Sequence, residues 1–370
     1  MLPNIESLQS LHEDEIHRIR DIYVPMVADD DGKRFALKLQ SAIAYTGDPM
    51  AKRLFVPDNS KLMDRLLQIA EVVDGKIQDG KTRFRIDAGG MSFRAQVGHN
   101  AKSADLQLRA LPADVPSLNE LSMDPAWRRL MVDESLFGGG LILISAPHGQ
   151  GKTTTASSMV ATRLKMFGGM ANTYEDPIEL PLQGVWGQGG LCIQRDIRRT
   201  EAQHSDPLGY ALMDSLRQYP AVGSSTIMFI GEIMDGSAAV EALKAAGNGH
   251  LVIATIHGRG LEAAIRRLVL LCCTQLDGMQ ESSVRTMISQ ILRGVFNQRL
   301  VWTLGGSGWS AAEVEGEVLW SDSPESELAK AVRSGDQERL AEVISDQYAR
   351  LREDPERYLE SMGVRARANS

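Results

Sequence analysis

The residues Leu141-Ile-Leu-Ile-Ser-Ala-Pro-His-Gly-Gln-Gly-Lys-Thr-Thr-Thr155 set an apolar run, two glycines, a lysine and hydroxyls in an order suited to phosphate. An apolar strand predicted over Leu141–Ser145 enters the glycine-containing loop, and a helix predicted over Thr153–Met166 leaves it, which is the order of a P-loop. Backbone N–H groups of such a loop converge on phosphate oxygens, and the positive end of the following helix points at the same charge. Gly149 and Gly151 let the backbone turn and approach without a Cβ in the way. Lys152 suits the β- and γ-phosphates, and the Thr153 hydroxyl suits Mg²⁺. The candidate nucleotide-binding residues are Ala146, Pro147, His148, Gly149, Gln150, Gly151, Lys152, Thr153 and Thr154. Ala146 stands where the usual pattern has glycine. A strand end with φ below zero accepts it cheaply, whereas a positive φ would cost on the order of 1 kcal/mol.

A phosphate cradle hydrolyses its ligand only with a metal-side carboxylate and a group that orients water. Ile227-Met-Phe-Ile-Gly-Glu232 is an apolar strand ending in an acid. Thr173-Tyr-Glu-Asp-Pro-Ile-Glu179 gathers Glu175, Asp176 and Glu179 around Pro177, which restrains Asp176 and leaves Glu175 at the end of a predicted strand. Gly249-His-Leu-Val-Ile-Ala-Thr-Ile-His257 brackets another apolar strand with two histidines. A neutral imidazole at a sheet end suits sensing or positioning better than charge stabilisation. The candidate catalytic residues are Glu175, Glu232 and His257, and the candidate metal ligands are Thr153 and Glu232. Either Glu175 or Glu232 could face the attacking water.

The elements that must position these groups change character along the chain. Ile5, Leu8, Leu11, Ile16, Ile19 and Ile22 recur at near-helical spacing, so a helix is expected over residues 1 to about 30, closed by a turn at Asp29-Asp-Asp-Gly32. A helix around Leu62–Val73 and alternating segments at Thr82–Ile86, Ser92–Val97 and Leu106–Leu111 then predict a small α+β unit on antiparallel strands. Pro112–Pro116 is the expected linker. Beyond it strands and helices alternate: Leu141–Ser145 then Thr153–Met166, Ile227–Ile230 then Ala238–Ala246, Leu251–Thr255 then Leu261–Leu271. That rhythm predicts a parallel sheet covered by helices. Ser323–Arg352 is a charged amphipathic helical stretch, with Ser323-Pro324 as its expected start, and a polar tail follows. The expected domains are 1–115, 116–305 and a mostly helical extension over 306–370.

Composition excludes several classes. Over 370 residues, 43% hydrophobic and 24% charged content is that of a globular protein and excludes bulk disorder. A net charge of −8 argues against a protein whose task is to coat nucleic acid. Cys192, Cys272 and Cys273 supply neither a disulfide framework nor a C-x-x-C zinc pair, which points to a reducing compartment. The first residues lack a signal-peptide core, and no apolar run reaches the roughly 18 residues of a membrane span, so any membrane role is expected to be peripheral.

Taken together the segments resemble the secretion superfamily of hexameric ATPases, which drive type II secretion, type IV pili and type IV secretion. The short pilus-retraction and conjugal-transfer or Dot/Icm-type branch is the most similar. Ala146–Thr153 resembles its Walker A box, Glu175–Glu179 its Asp box, Ile230–Asp235 its Walker B box and Gly249–His257 its His box. Ser215-Leu-Arg-Gln218, Ala245–His250, Phe93–Val97, Leu108–Pro112 and Pro116–Leu118 look like the family too, so the resemblance spans residues from about 80 to 305.

The resemblance implies an α/β fold: a C-terminal RecA-like P-loop NTPase domain preceded by a smaller α+β, PAS-like domain. It implies ATP and Mg²⁺ as cofactors and a homohexamer whose domains move as rigid bodies. It further implies inner-membrane platform or secretion-channel proteins as partners, no direct nucleic-acid binding, and a cytoplasmic location peripheral to the bacterial inner membrane. Arginines of the N-terminal domain approach the nucleotide in this family, and Arg94 and Arg109 fall in matching segments. The chain departs from the pattern at Ala146 and at Met234, where the family has arginine. The tetracysteine module and extra N-terminal domain of pilus-extension motors are not expected. A nucleotide-dependent assembly module with little hydrolysis is the alternative, and a nucleic-acid motor a third reading that the charge does not support.

Overall fold

In the computed structural model Ile22, Val24 and Met26 are 2% exposed or less, while Val27 is 42% exposed. Residues 21–28 form a strand, not the expected helix, because pairing with neighbouring strands overrides the spacing read from Ile19 to Ile22. The structure describes residues 9–10, 19, 21–28, 35–45, 53–56, 60–78, 82–88, 91–99, 104–197, 211–212, 226–276, 278–305 and 308–364. The expected turn at Asp29–Gly32, the Ser215–Gln218 segment and the tail after residue 364 lie outside them.

Two units divide the chain, Met1–Asp114 and Val115–Ser370. The first contains β1 (Gln9–Ser10), β2 (Asp21–Ala28), β3 (Phe35–Leu37), β4 (Ile43–Tyr45), β5 (Arg53–Phe55), α1 (Lys61–Gln78), β6 (Arg83–Ala88), β7 (Met91–His99) and β8 (Ala104–Leu111). Its sheet runs β1-β5-β4-β2-β8-β7-β6, with β3 paired to β2. Helix α1 buries Leu62, Leu66, Ile69 and Val73, at spacings of three and four, in one cluster with Phe93, Leu106 and Leu108 of the sheet.

The second unit contains α2 (Pro125–Met131), β9 (Gly140–Ala146), α3 (Lys152–Phe167), β10 (Gly169–Glu175), β11 (Gly184–Trp186), β12 (Gly190–Asp196), β13 (Thr226–Ile230), α4 (Gly236–Gly247), β14 (Leu251–His257), α5 (Leu261–Gln275) and α6 (Glu281–Ile291). β15 (Leu292–Gly305), β16 (Gly308–Trp320), α7 (Glu327–Ser334), α8 (Gln337–Glu353) and α9 (Pro355–Ser361) complete it. The strand order is β11-β12-β10-β13-β14-β9-β15-β16. Strands β12, β10, β13, β14, β9 and β15 are parallel, and β11 and β16 close the edges antiparallel. All of β9 is buried. Leu141 and Leu143 pack among residues of α4 and α5, and Ile142 and Ile144 among residues of α3 and α2, so helices cover both faces.

Residues from 306 onward begin with the edge strand β16, in the same unit as the P-loop, and the helices of the expected extension follow it. The helical stretch expected to start at Ser323 starts three residues later. Ser326 is the cap, its hydroxyl accepting from the Ala329 amide at 3.1 Å, and Gly335 in the left-handed region ends this first helix before Asp336 caps α8.

Candidate nucleotide site

Parallel pairing gathers the C-terminal ends of β9, β10, β13 and β14 at one edge of the sheet. In register, His257 lies opposite Ala146, and Tyr174 opposite Ile230. The loops leaving this edge carry every candidate of the second unit: the P-loop after β9, Glu175 at the end of β10, Glu232 two residues past β13, and His257 at the end of β14. β14 lies between β9 and β13, so His257 is the residue placed to touch both the phosphate loop and the Glu232 loop.

It does touch both. Lys152, 8% exposed, donates from Nζ to the carbonyls of Ala146 at 3.1 Å and Pro147 at 3.2 Å and to His257 Nδ1 at 3.2 Å. An ammonium only donates, so Nδ1 is the acceptor and the ring proton sits on Nε2. His257 Nε2 lies 2.6 Å from Glu232 Oε1, a contact outside hydrogen-bond alignment that leaves this buried oxygen with acceptor capacity. Burial lowers the His257 pKa more than Glu232 raises it, with Lys152 and His148 lowering it further. Burial likewise lowers the Lys152 pKa, against the pull of Glu232. On its other side the His257 ring meets His148, centroids 3.7 Å apart and planes inclined by 47°.

The loop conformation follows from its glycines. Gly149 and Gly151 have φ of 72° and 77°, a region that disfavours any side chain. Ala146 is a strand residue of β9, so its Cβ costs nothing there. Gly151 caps α3 without a side-chain hydrogen bond, which leaves the first-turn amides to a ligand. Thr153 and Thr154 are half-buried in that turn. Strand β15 braces the loop from behind: Gln298 Nε2 donates to the Gln150 carbonyl at 2.6 Å, and the Leu300 amide to Gln150 Oε1 at 2.8 Å. Asn297 Nδ2 donates to Ser145 Oγ at 2.8 Å just below.

Glu175 is buried at 2% exposure. Its Oε1 accepts from Thr173 Oγ1 at 2.7 Å and from Gln194 Nε2 at 2.9 Å. Burial raises its pKa to about 7 in spite of both hydrogen bonds. Gln194 is itself fixed, since its side-chain amide also donates to the Leu180 carbonyl at 2.9 Å, its Oε1 accepts from the Gln183 backbone N–H, and its own backbone N–H donates to Gln183 Oε1. Asparagine and glutamine side chains at 194, 297 and 298, and Thr173, escaped the sequence reading. The available signal was a polar residue inside an otherwise apolar strand, as in Gly190-Leu-Cys-Ile-Gln194.

Arg94 and Arg109 belong to the first unit. They face each other across β7 and β8, and Arg109 faces Asp21 across β8 and β2, its Nε donating to Asp21 Oδ1 at 2.8 Å. The Arg109 side chain is 63% exposed.

A mainly parallel sheet with helices on both faces, carrying a glycine-built phosphate loop at its C-terminal edge, defines a P-loop nucleotide-binding protein. Residues 38–346 match the family described as Type II/IV secretion system protein, and the chain belongs to that family of secretion and pilus ATPases. It is 30% identical over 237 residues to the type IV pilus retraction ATPase PilT of Pseudomonas aeruginosa, covering 63% of this chain and 62% of that one. It is 30% identical over 247 residues to the type II secretion system protein E of the same organism, covering 66% of this chain and 43% of that one. The chain thus spans less than two thirds of the length of either relative. Among solved structures, the pilus retraction motor PilT with bound ADP shares 26% identity and a TM-score of 0.62, over 90% of this chain and 87% of that one. The Legionella pneumophila ATPase DotB, at 19% identity, shares the fold with a TM-score of 0.60 over 95% and 90%. No helix among the described residues is long and apolar enough to cross a membrane.

Proposed function

We propose that this chain is a Mg²⁺-dependent ATPase that works as one subunit of a homohexameric ring, driving a type IV secretion, conjugal-transfer or type IV pilus machine. The observation that carries the proposal is the His257 bridge, which joins the phosphate-loop lysine to the acid of the neighbouring strand end. Lys152 and the amides of residues 148–153 hold the phosphates. Glu232 Oε1, buried with acceptor capacity, and the Thr153 hydroxyl are the oxygen donors that suit a small hard cation. When bound, Mg²⁺ supplies charge neutralisation to the phosphate oxygens. Glu175 acts as general base or positions the attacking water, since a carboxyl with a pKa of about 7 can take a proton near neutrality. His257 responds when Lys152 leaves it for phosphate.

Arg94 and Arg109 of the PAS-like first unit are the residues proposed to approach the nucleotide. The platform or channel proteins of the inner membrane are the proposed partners, with the chain cytoplasmic and peripheral and not bound directly to nucleic acid. Phosphate release from Mg-ATP, beside a Lys152→Ala control, tests the reading. Turnover above the control is expected. Intact ATP binding without turnover, even with membrane partners added, would favour an assembly module instead, and Met234, 63% exposed where the family has arginine, is the departure that keeps this alternative.

A further inference from the structure

The contacts of His257 leave a vacancy in the chemistry of the site that another residue fills. His257 Nδ1 accepts from Lys152 at 3.2 Å, and Glu232 Oε1 stands 2.6 Å from Nε2, outside hydrogen-bond alignment but covering that side of the ring. A phosphate oxygen can reach the Nε2 proton only by displacing the carboxylate beside it. His148 stands against it, centroids 3.7 Å apart, on the exposed crest of the loop between Pro147 and Gly149. Among the described residues its ring makes that stacking contact and no hydrogen bond. An imidazole without a hydrogen-bond partner, fixed by a neighbouring ring and one residue from the Pro147 carbonyl that holds Lys152, carries an N–H at the place where Lys152 meets phosphate.

We infer that His148 is a specificity-determining residue that reads the terminal phosphate, giving the site its preference for a nucleoside triphosphate over a diphosphate. The inference rests on the nucleotide reading above and adds to it a side-chain role for a position whose backbone alone the phosphate loop requires. The stack divides the labour. His257 stays beside Glu232 and releases Lys152, and the ring of His148, tilted against His257, donates to a γ-phosphate oxygen. A diphosphate offers no oxygen at that place.

The test compares a non-hydrolysable ATP analogue with ADP, both with Mg²⁺, by calorimetric titration of the full chain and of His148→Ala, His148→Phe and His148→Gln. His148→Phe keeps a ring for the stack and removes the N–H, and His148→Gln keeps an N–H and removes the ring. The expected result is a fall of about tenfold or more in the triphosphate-to-diphosphate affinity ratio for His148→Ala and His148→Phe, as for one lost hydrogen bond to a charged group, with partial recovery in His148→Gln. ADP affinity should stay within about twofold of the starting protein, since the change is confined to one exposed side chain. An unchanged ratio, a ratio kept by His148→Phe, or equal weakening of both ligands overturns the assignment. A starting protein that binds neither nucleotide overturns the nucleotide reading itself, and the inference with it.

Discussion

Gln194 Nε2 donates to Glu175 Oε1 at 2.9 Å, from a strand that is parallel to and paired with the strand carrying Glu175. The amide thereby fixes a carboxylate that burial alone would push still higher in pKa. Gln194→Leu is expected to move the acid limb of the kcat profile to higher pH, because the hydrogen bond that favours the charged form is gone. Turnover measured across roughly pH 6 to 9 reads the shift. An unmoved limb would assign it to a group other than Glu175.

Glu175 also links stability to pH. Its folded pKa of about 7 lies above the ordinary 4.5, so across that window the folded chain holds a proton that the unfolded chain has lost. Stability is fully present below about pH 4.5, falls as pH rises, and has lost this contribution above about pH 7. Glu175→Gln removes the effect while keeping an oxygen for the Thr173 and Gln194 donors. Near pH 5 the two proteins should be close, and near pH 8 the variant should be more stable by about 1–3 kcal/mol. Thermal unfolding at the two pH values measures it. The same variant should bind ATP and lose turnover, a trade of function for stability.

Lys152→Ala should abolish tight nucleotide binding. The lysine is the one cation in the described loop, and in its place would remain two loop carbonyls, of Ala146 and Pro147, that repel phosphate. Titration with ATP reads the loss. Hydrolysis at an unaltered rate would move the site elsewhere.

Gln150→Ala removes the side-chain half of the brace between the phosphate loop and β15 and keeps the Gln298 bond to the residue 150 carbonyl. It leaves the Leu300 amide without its 2.8 Å partner, and an unmatched buried donor costs on the order of 1–3 kcal/mol. Denaturant unfolding should show a loss of that order. The KM for ATP should rise more than kcat falls, because the loop loses its preset shape and keeps its chemical groups. An unchanged midpoint would mean that water replaces the glutamine.

Arg109→Ala separates a structural arginine from a functional one. Its partner Asp21 is solvent-exposed, and so is Arg109 itself, and an exposed pair of this kind contributes no more than about 1 kcal/mol. Stability should hardly change. If Arg109 approaches nucleotide, turnover should fall by about tenfold or more, as for one lost charge-assisted hydrogen bond. Turnover at the starting rate would return Arg109 to the strand surface.

The sequence by itself determined the phosphate loop, the strand before it, the helix after it, and the strand ends at Glu175, Glu232 and His257. These are local: backbone freedom at Gly149 and Gly151, apolar runs that suit buried strands, and an acid or imidazole at or within two residues of each strand's end. Composition and the rhythm of strand and helix determined the covered parallel sheet. The tertiary structure alone decided the strand order that puts β14 between β9 and β13, and hence the bridge from Lys152 through His257 to Glu232. It also decided the Gln194 and Gln298 hydrogen bonds, the stack of His148 on His257, the strand at 21–28 and the edge strand at 308–320. Each of these depends on which strand pairs with which, over separations of up to 150 residues for Gln150 and Leu300. No local spacing encodes such a choice. It is settled by burying both faces of the sheet at once.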